Sequence, residues 1–177
     1  RNALDVETSR ALSRALDDLA DDPAPLIIRS ATPGMFVAGT DVASLRERTV
    51  EDSLGRINAR LFARIAEHAA PTIAAVDGWA LGGGCELALA CDFRVSTATA
   101  RWGLPEVRLG IIPSGGALHR LAALIGGSMA TDLVMTGRRI DGTEALRIGL
   151  AQRIAPDGDL DAALTTLLDD LGPASLF

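Results

Sequence analysis

The stretch Ile73-Ala74-Ala75-Val76-Asp77-Gly78-Trp79-Ala80-Leu81-Gly82-Gly83-Gly84-Cys85-Glu86-Leu87-Ala88 decides how this chain is read. Thr72 to Val76 is an apolar run with β-branched residues, and it predicts a buried strand. Asp77-Gly78 turns out of that strand. Three successive glycines then lead to a carboxylate, and Glu86 to Ala90 predicts a helix. A strand that passes through Gly82-Gly83-Gly84 into a helix would aim unpaired N–H groups and a positive helix end at one point. Glycine there also permits unusual dihedrals and close approach of a substrate.

Three familiar uses of such glycines fail on inspection. A dinucleotide fingerprint needs a third glycine at position 87, where this chain has Leu87. A phosphate loop needs lysine after its last glycine, and Gly83 is followed by Gly84. The nucleophile elbow also fails around Ser114, because Ile112 holds the first glycine position. Ser114 is expected to begin a helix instead.

The reading that survives is an oxyanion hole, set against the plainer possibility of ordinary turns. Ala38-Gly39-Thr40 follows a strand-like run and could supply a second N–H donor. Glu86 lies among Cys85, Leu87, Ala88, Leu89 and Ala90, so it should be buried, although a helix-start acid complementing the dipole is the alternative. A buried carboxylate must be partnered or have its pKa raised, and either suits general acid–base work. Twenty residues further on, Leu104-Pro105-Glu106-Val107 places a second carboxylate on a rigid turn. Its alternative role is a loop acid pairing with Arg101 or Arg108.

Composition narrows the field. The 177 residues suit one domain over 1–177, with 48% hydrophobic content and mean hydropathy of +0.24. Net charge is −6, and all 17 basic residues are arginines. A chain without lysine offers no Schiff base and no lysine-dependent phosphate loop. The acidic balance weighs against a nucleic-acid partner. Cys85 and Cys91 read as reduced core thiols, and His68 and His119 are too isolated for a metal site. His68 reads as a helix-end residue, His119 as packing near the second turn, and Trp79 and Trp102 as core or pocket wall. Arg46 and Arg48 could meet a phosphate, or simply face solvent. No segment approaches the roughly 18 continuous apolar residues of a membrane span, and the opening residues do not resemble a signal peptide.

Helices are further expected from Thr8 to Ala20, from Leu54 towards Ala69, over Gly115–Ile125, Met129–Met135 and Thr143–Ile148, and from Asp159 to Leu171. Strands are expected at Leu26–Ile28, Phe93–Val95 and Ala151–Ile154. Alternating strands and helices argue for an α/β domain with crossovers.

With these residues in view, Ile73 to Ala88 closely resembles the signature of the enoyl-CoA hydratase/isomerase (crotonase) family. Arg1-Asn2-Ala3-Leu4, Phe36-Val37-Ala38-Gly39-Thr40-Asp41, Leu104-Pro105-Glu106 and Gly110-Ile111-Ile112-Pro113 fall in the family's order and spacing. So do Leu133 to Arg138 and Glu144 to Leu150. The resemblance implies a spiral of ββα turns, with the C-terminal helical part largely absent here and the chain incomplete at both ends. It implies a homotrimer, or a dimer of trimers, in the cytoplasm.

The resemblance also assigns roles. The N–H groups of Thr40 and Gly83 would hold the thioester oxygen of an acyl-CoA, with Ala38, Gly39 and Asp41 lining the CoA-binding turn. Coenzyme A would enter as part of the substrate, without a further cofactor. Glu86 and Glu106 would hold the water that adds syn to a 2-trans-enoyl-CoA, Glu86 taking its proton and Glu106 delivering one to C2. The product would be a 3-hydroxyacyl-CoA. Double-bond isomerisation, dehydration of an unusual acyl thioester (possibly on a carrier protein), or acyl-CoA binding without turnover are the alternatives. Two departures stand out. Thr40 replaces the usual alanine or glycine, and Ser114-Gly115-Gly116-Ala117-Leu118-His119-Arg120 departs from the family's usual run of glycines followed by threonine, glutamine and arginine, in a segment that by the resemblance packs close to the active site.

Overall fold

In a computed structural model of the chain, residues 2–39 and 57–172 are described. Thr40, Asp41, Arg46 and Arg48 lie outside these residues. Asp5 starts helix α1 (Val6–Asp18), its side chain accepting from Thr8 N–H at 2.7 Å. Strands β1 (Leu26–Arg29) and β2 (Met35–Val37) follow, and after them comes α2 (Ile57–Ala66). Next are β3 (Thr72–Val76), β4 (Trp79–Leu81) and α3 (Gly83–Ala90). β5 (Phe93–Ser96) and β6 (Arg101–Gly103) precede a 3₁₀ helix over Pro105–Leu109, then α4 (Ala117–Ile125) and α5 (Gly127–Thr136). The remainder comprises β7 (Arg139–Asp141), α6 (Gly142–Arg147), β8 (Arg153–Ile154), a 3₁₀ turn at Pro156–Gly158 and α7 (Leu160–Leu171).

The strands divide between two four-stranded sheets, ordered β1-β3-β5-β8 and β2-β4-β6-β7. Each pair β1β2, β3β4 and β5β6 gives one strand to each sheet before the chain turns into helix. This is the spiral of ββα turns. All pairings are parallel except β6 with β7, where Trp102 stands opposite Ile140. Parallel strands joined by helical crossovers must be covered on both faces, and β3 is buried along its whole length. Alternate side chains go to opposite sides. Ala74 and Val76 join the main core, whereas Ile73 and Ala75 pack with Val95 and with Ala163, Leu164 and Leu167 of α7.

At the centre of the main core lies α3, with every residue from Gly83 to Ala90 buried. A helix apolar on all sides is stable only in such a place. Full burial of Leu87 alone is worth about 1.5–3 kcal/mol. Its carboxyl end is closed by the buried Arg94, whose guanidinium donates to the carbonyls of Cys91 at 2.5 Å, Leu150 at 2.6 Å and Asp92 at 3.2 Å. A cation at that end complements the helix dipole. The helix is thereby fixed at the end opposite its glycines.

The sequence expectations hold for most elements and fail at some edges. Ser114 does not begin a helix. It is exposed, and α4 starts at Ala117 with Gly116 as its cap residue. The helix expected from Glu86 begins three residues earlier, so the glycines belong to it. β4, β6 and β7 are three residues each, too short to show alternation, and they were not foreseen as separate strands. His68 does sit just past α2, with its Nε2 2.9 Å from Ala24 O. Trp102 is fully buried core, while Trp79 is half-buried under the Arg139 guanidinium, 5.2 Å from its ring centre. Cys85 and Cys91 are free, buried thiols. His119 is exposed on α4.

Candidate active site

Gly82 joins β4 to α3 with φ +52° and ψ −121°, a conformation that only glycine adopts readily. Its N–H donates to Gly103 O at 2.9 Å, and its carbonyl accepts from Glu86 N–H at 2.9 Å. The turn is thus locked from both sides. Gly83 follows as the first residue of α3, and its N–H has no acceptor among the described residues. The first N–H groups of any helix lack intrahelical partners and carry its positive end.

The second glycine turn comes to the same place. A Cβ added to Gly39 would stand 2.7 Å from Leu81 O and 3.4 Å from Gly83 N. Gly39 is held there by its own carbonyl, which accepts from Leu4 N–H at 3.0 Å, while Ala38 N–H donates to Asn2 O at 3.2 Å. Ala38, Gly39 and Gly83 therefore meet at one end of α3. Thr40 and Asp41, the other two residues expected there, lie outside the described residues.

Glu86 is the fourth residue of α3 and is buried. Its Oε1 accepts from Gly115 N–H at 2.7 Å and from Ala117 N–H at 3.1 Å. The carboxylate thus caps α4 from another helix, where the dipole favours negative charge. Gly115 has no side chain because there is no room for one. A Cβ would lie 2.6 Å from the Phe62 ring and 2.9 Å from Glu86 Oε2. Burial pushes the Glu86 carboxyl above its ordinary range, opposed by the Ala117 and Gly115 amides and by the charge of Arg120.

Glu106 stands in the 3₁₀ helix that opens at Pro105, and it too is buried. It forms no ion pair with Arg101 or Arg108 among the described residues. A Cβ on Gly82 would come within 2.9 Å of Glu106 Oε1, so the carboxyl group lies against the glycine turn itself. Its Oε2 is buried without a hydrogen-bond partner among the described residues. An orphaned buried oxygen is costly, and such atoms mark places where a ligand or a proton is expected. The Glu106 carboxyl is pushed up to about 7, chiefly by burial and further by the negative charge of Glu86, against its own backbone amide.

The two carboxyl groups therefore differ in kind. One is braced by two amides and an arginine, the other holds a proton near neutral pH. That difference is how two like residues divide acid and base work. Cys85 lies between them in charge terms. Burial, then Glu106 and Glu86, drive its thiol far above its ordinary value, so it stays neutral and is no nucleophile.

Sequence reasoning singled out Glu86, Glu106, Gly83, Ala38 and Gly39, and the fold brings these to one place. It marked Gly115, Ala117 and Arg120 only as members of a segment that departs from the family pattern, without a role for their amides or the guanidinium, and it did not single out Phe62. A signal existed for the amides in Gly115-Gly116, a pair with no evident turn or strand duty. None existed for Phe62, which reads as ordinary helix core.

The family pattern described as enoyl-CoA hydratase/isomerase matches residues 1–175. A probable enoyl-CoA hydratase of Mycobacterium bovis is 40% identical over 160 residues, which are 90% of this chain and 62% of that protein. The mitochondrial methylglutaconyl-CoA hydratase of Mus musculus is 42% identical over 175 residues, 96% of this chain and 55% of that protein. The crystal structure of an enoyl-CoA hydratase from Bacillus anthracis superposes with a TM-score of 0.90 at 32% identity, covering 96% of this chain and 67% of the other. The chain thus spans less than two thirds of the length of these two sequence relatives. The family pattern spans nearly the whole chain and the fold agrees with that of the solved relative, and the chain belongs to the enoyl-CoA hydratase/isomerase family.

Proposed function

We propose that the protein hydrates 2-trans-enoyl-CoA thioesters to 3-hydroxyacyl-CoA, a carbon–oxygen lyase activity of acyl-CoA or fatty-acid metabolism. The observation that carries this reading is the unequal pair Glu86 and Glu106, both buried near the Gly83 N–H, which has no acceptor among the described residues. Isomerisation moves a proton from carbon to carbon and needs no water. A base and a separate acid are what addition of water across a double bond requires.

In this mechanism the thioester oxygen lies against Gly83 N–H, with Thr40 N–H as the second donor and Ala38, Gly39 and Asp41 along the CoA. Negative charge that develops on that oxygen is stabilised by the positive end of α3 as well as by the donors themselves. Water sits between the two carboxyl groups. Glu86, oriented by the Gly115 and Ala117 amides, takes a proton as the oxygen attacks C3. Glu106, protonated near neutral pH, delivers a proton to C2 from the same face. Two donors are worth about 10²- to 10³-fold each, and acid–base help contributes roughly 10²- to 10⁴-fold.

Coenzyme A enters this scheme only as the handle of the substrate, and no further cofactor takes part. A homotrimer or a dimer of trimers, in the cytoplasm, completes the proposal and rests on the family resemblance. No helix among the described residues is long and apolar enough to cross a membrane. Short- and medium-chain 2-enoyl-CoAs, followed by loss of the conjugated thioester absorbance, test the reading. Hydration of at least one chain length is expected. Conversion of 3-enoyl to 2-enoyl-CoA without hydration would replace it by isomerisation, and binding without turnover by a non-catalytic role.

A further inference from the structure

Among the described residues, Glu86 is held by main-chain groups and not by side chains. Its oxygen meets two main-chain amides of the turn into α4, so the orientation of that turn decides where the carboxylate points. Such a turn has few internal restraints. Gly115 and Gly116 impose no side-chain packing, and Gly116 adopts φ +111°. Something outside the turn must fix it.

Arg120, one turn into α4, is in position to do so. Its Nη1 donates to Gly115 O at 3.0 Å, and its Nη2 reaches Phe62 O in α2 at 3.5 Å. Gly115 thus receives Arg120 at its carbonyl and presents its N–H, in the preceding peptide unit, to Glu86. The Phe62 ring packs where a Gly115 side chain would be. Arginine is suited to this, because its planar fork can bind two oxygens at once while keeping its charge. Arg120 is half-buried and forms no ion pair among the described residues. Its charge is therefore not spent on a neighbouring carboxylate.

We propose that Arg120 is the positioning residue of Glu86: it clamps the Gly115 carbonyl to α2, so that the amides of the turn point at the carboxylate, and it sets a positive charge beside that carboxylate. The part played by Glu86 in hydration rests on the function proposed above; the clamp itself does not. The ionisable groups facing Glu86 are Arg120 from α4, Glu106 from the 3₁₀ helix and Cys85 on its own helix, while α2 offers the Phe62 ring. Of these, Arg120 alone favours the ionised form.

The test is a titration of the Glu86 carboxyl by ¹³C NMR, using protein labelled at the glutamate carboxyl carbons and assigning the signal by its loss in Glu86→Gln. Arg120→Gln keeps a donor for Gly115 O and removes the charge, and its Glu86 titration is expected to move up by about one pH unit. Arg120→Lys keeps the charge and gives up the planar fork, so its titration should move up by less than that of Arg120→Gln. If hydration is the activity, the acid limb of kcat moves up with the titration in Arg120→Gln and KM is unchanged, a split that loss of packing alone would not give. An unchanged titration in folded Arg120→Gln would overturn the proposal. Should that variant fail to fold, a titration in Arg120→Lys identical to that of the parent protein would overturn the clamp instead. A shifted titration in a protein that hydrates nothing would leave the clamp standing and remove only the hydratase reading.

Discussion

Gly115 N–H donates to Glu86 Oε1 at 2.7 Å, across 29 residues of sequence, while Glu106 Oε2 has no partner among the described residues. One glutamate is held by the protein and the other waits for something. From this contrast the roles of base and acid are assigned: two amides and Arg120 oppose the upward push of burial on Glu86, while Glu106 Oε2 has no such partner among the described residues.

Glu106→Gln keeps the size of the side chain and removes its exchangeable acid proton. Hydration should fall roughly 10²- to 10⁴-fold in kcat with little change in KM. Initial rates of loss of the conjugated thioester measure it. Full activity in this variant would remove Glu106 as the proton donor.

The pH dependence has a definite sign. An acid works only when protonated, so kcat/KM should fall as pH rises through about 7, where Glu106 releases its proton. The limb should vanish or move in Glu106→Gln. Because the two carboxyls interact, they titrate as a pair, and the limb belongs to the pair.

Stability should follow the same group. Its folded-state pKa of about 7 lies above its ordinary value of 4.5, so the folded protein binds this proton more tightly than the unfolded chain. The contribution is complete below about 4.5 and is lost as pH rises through about 7. Denaturant midpoints at acidic and alkaline pH should differ in this direction, and less so in Glu106→Gln.

Gly82→Ala forces a side chain into φ +52° and puts its Cβ 2.9 Å from Glu106 Oε1. Backbone strain costs about 1–3 kcal/mol, and the carboxyl group must move. Activity should fall further than the drop in thermal midpoint explains. Steady-state rates well below the melting transition separate the two effects.

Gly115→Ala tests the other carboxylate by crowding. Its Cβ would meet the Phe62 ring at 2.6 Å and Glu86 Oε2 at 2.9 Å. Overpacking of this kind costs about 1–3 kcal/mol. Phe62→Leu in the same chain should relieve the ring contact and recover stability, yet leave activity low, since the Glu86 contact persists.

Much of this was legible from residue order alone. Thr72 to Val76 is apolar on both faces because it is a central parallel strand, and such strands announce themselves. Glu86 among apolar neighbours pointed to burial over a surface acid, and it is buried. Other features were hidden for physical reasons. Three-residue strands such as Trp79–Leu81 carry too little alternation to be seen. Ser114 has the right chemistry for a helix start, but the cap of α4 is supplied by Glu86 from another helix, a tertiary contact that local propensity does not carry. Arg120 looks like any half-exposed helix residue until Gly115 O is placed beside it.

The most direct test of the hydratase account is the product formed from a 2-trans-enoyl-CoA in D₂¹⁸O, analysed by mass spectrometry and proton NMR. The account predicts one ¹⁸O at C3 and one deuterium at C2, added from the same face, with neither incorporated by the Glu86→Gln, Glu106→Gln double variant. Deuterium exchanged into carbon without ¹⁸O at C3 would contradict it.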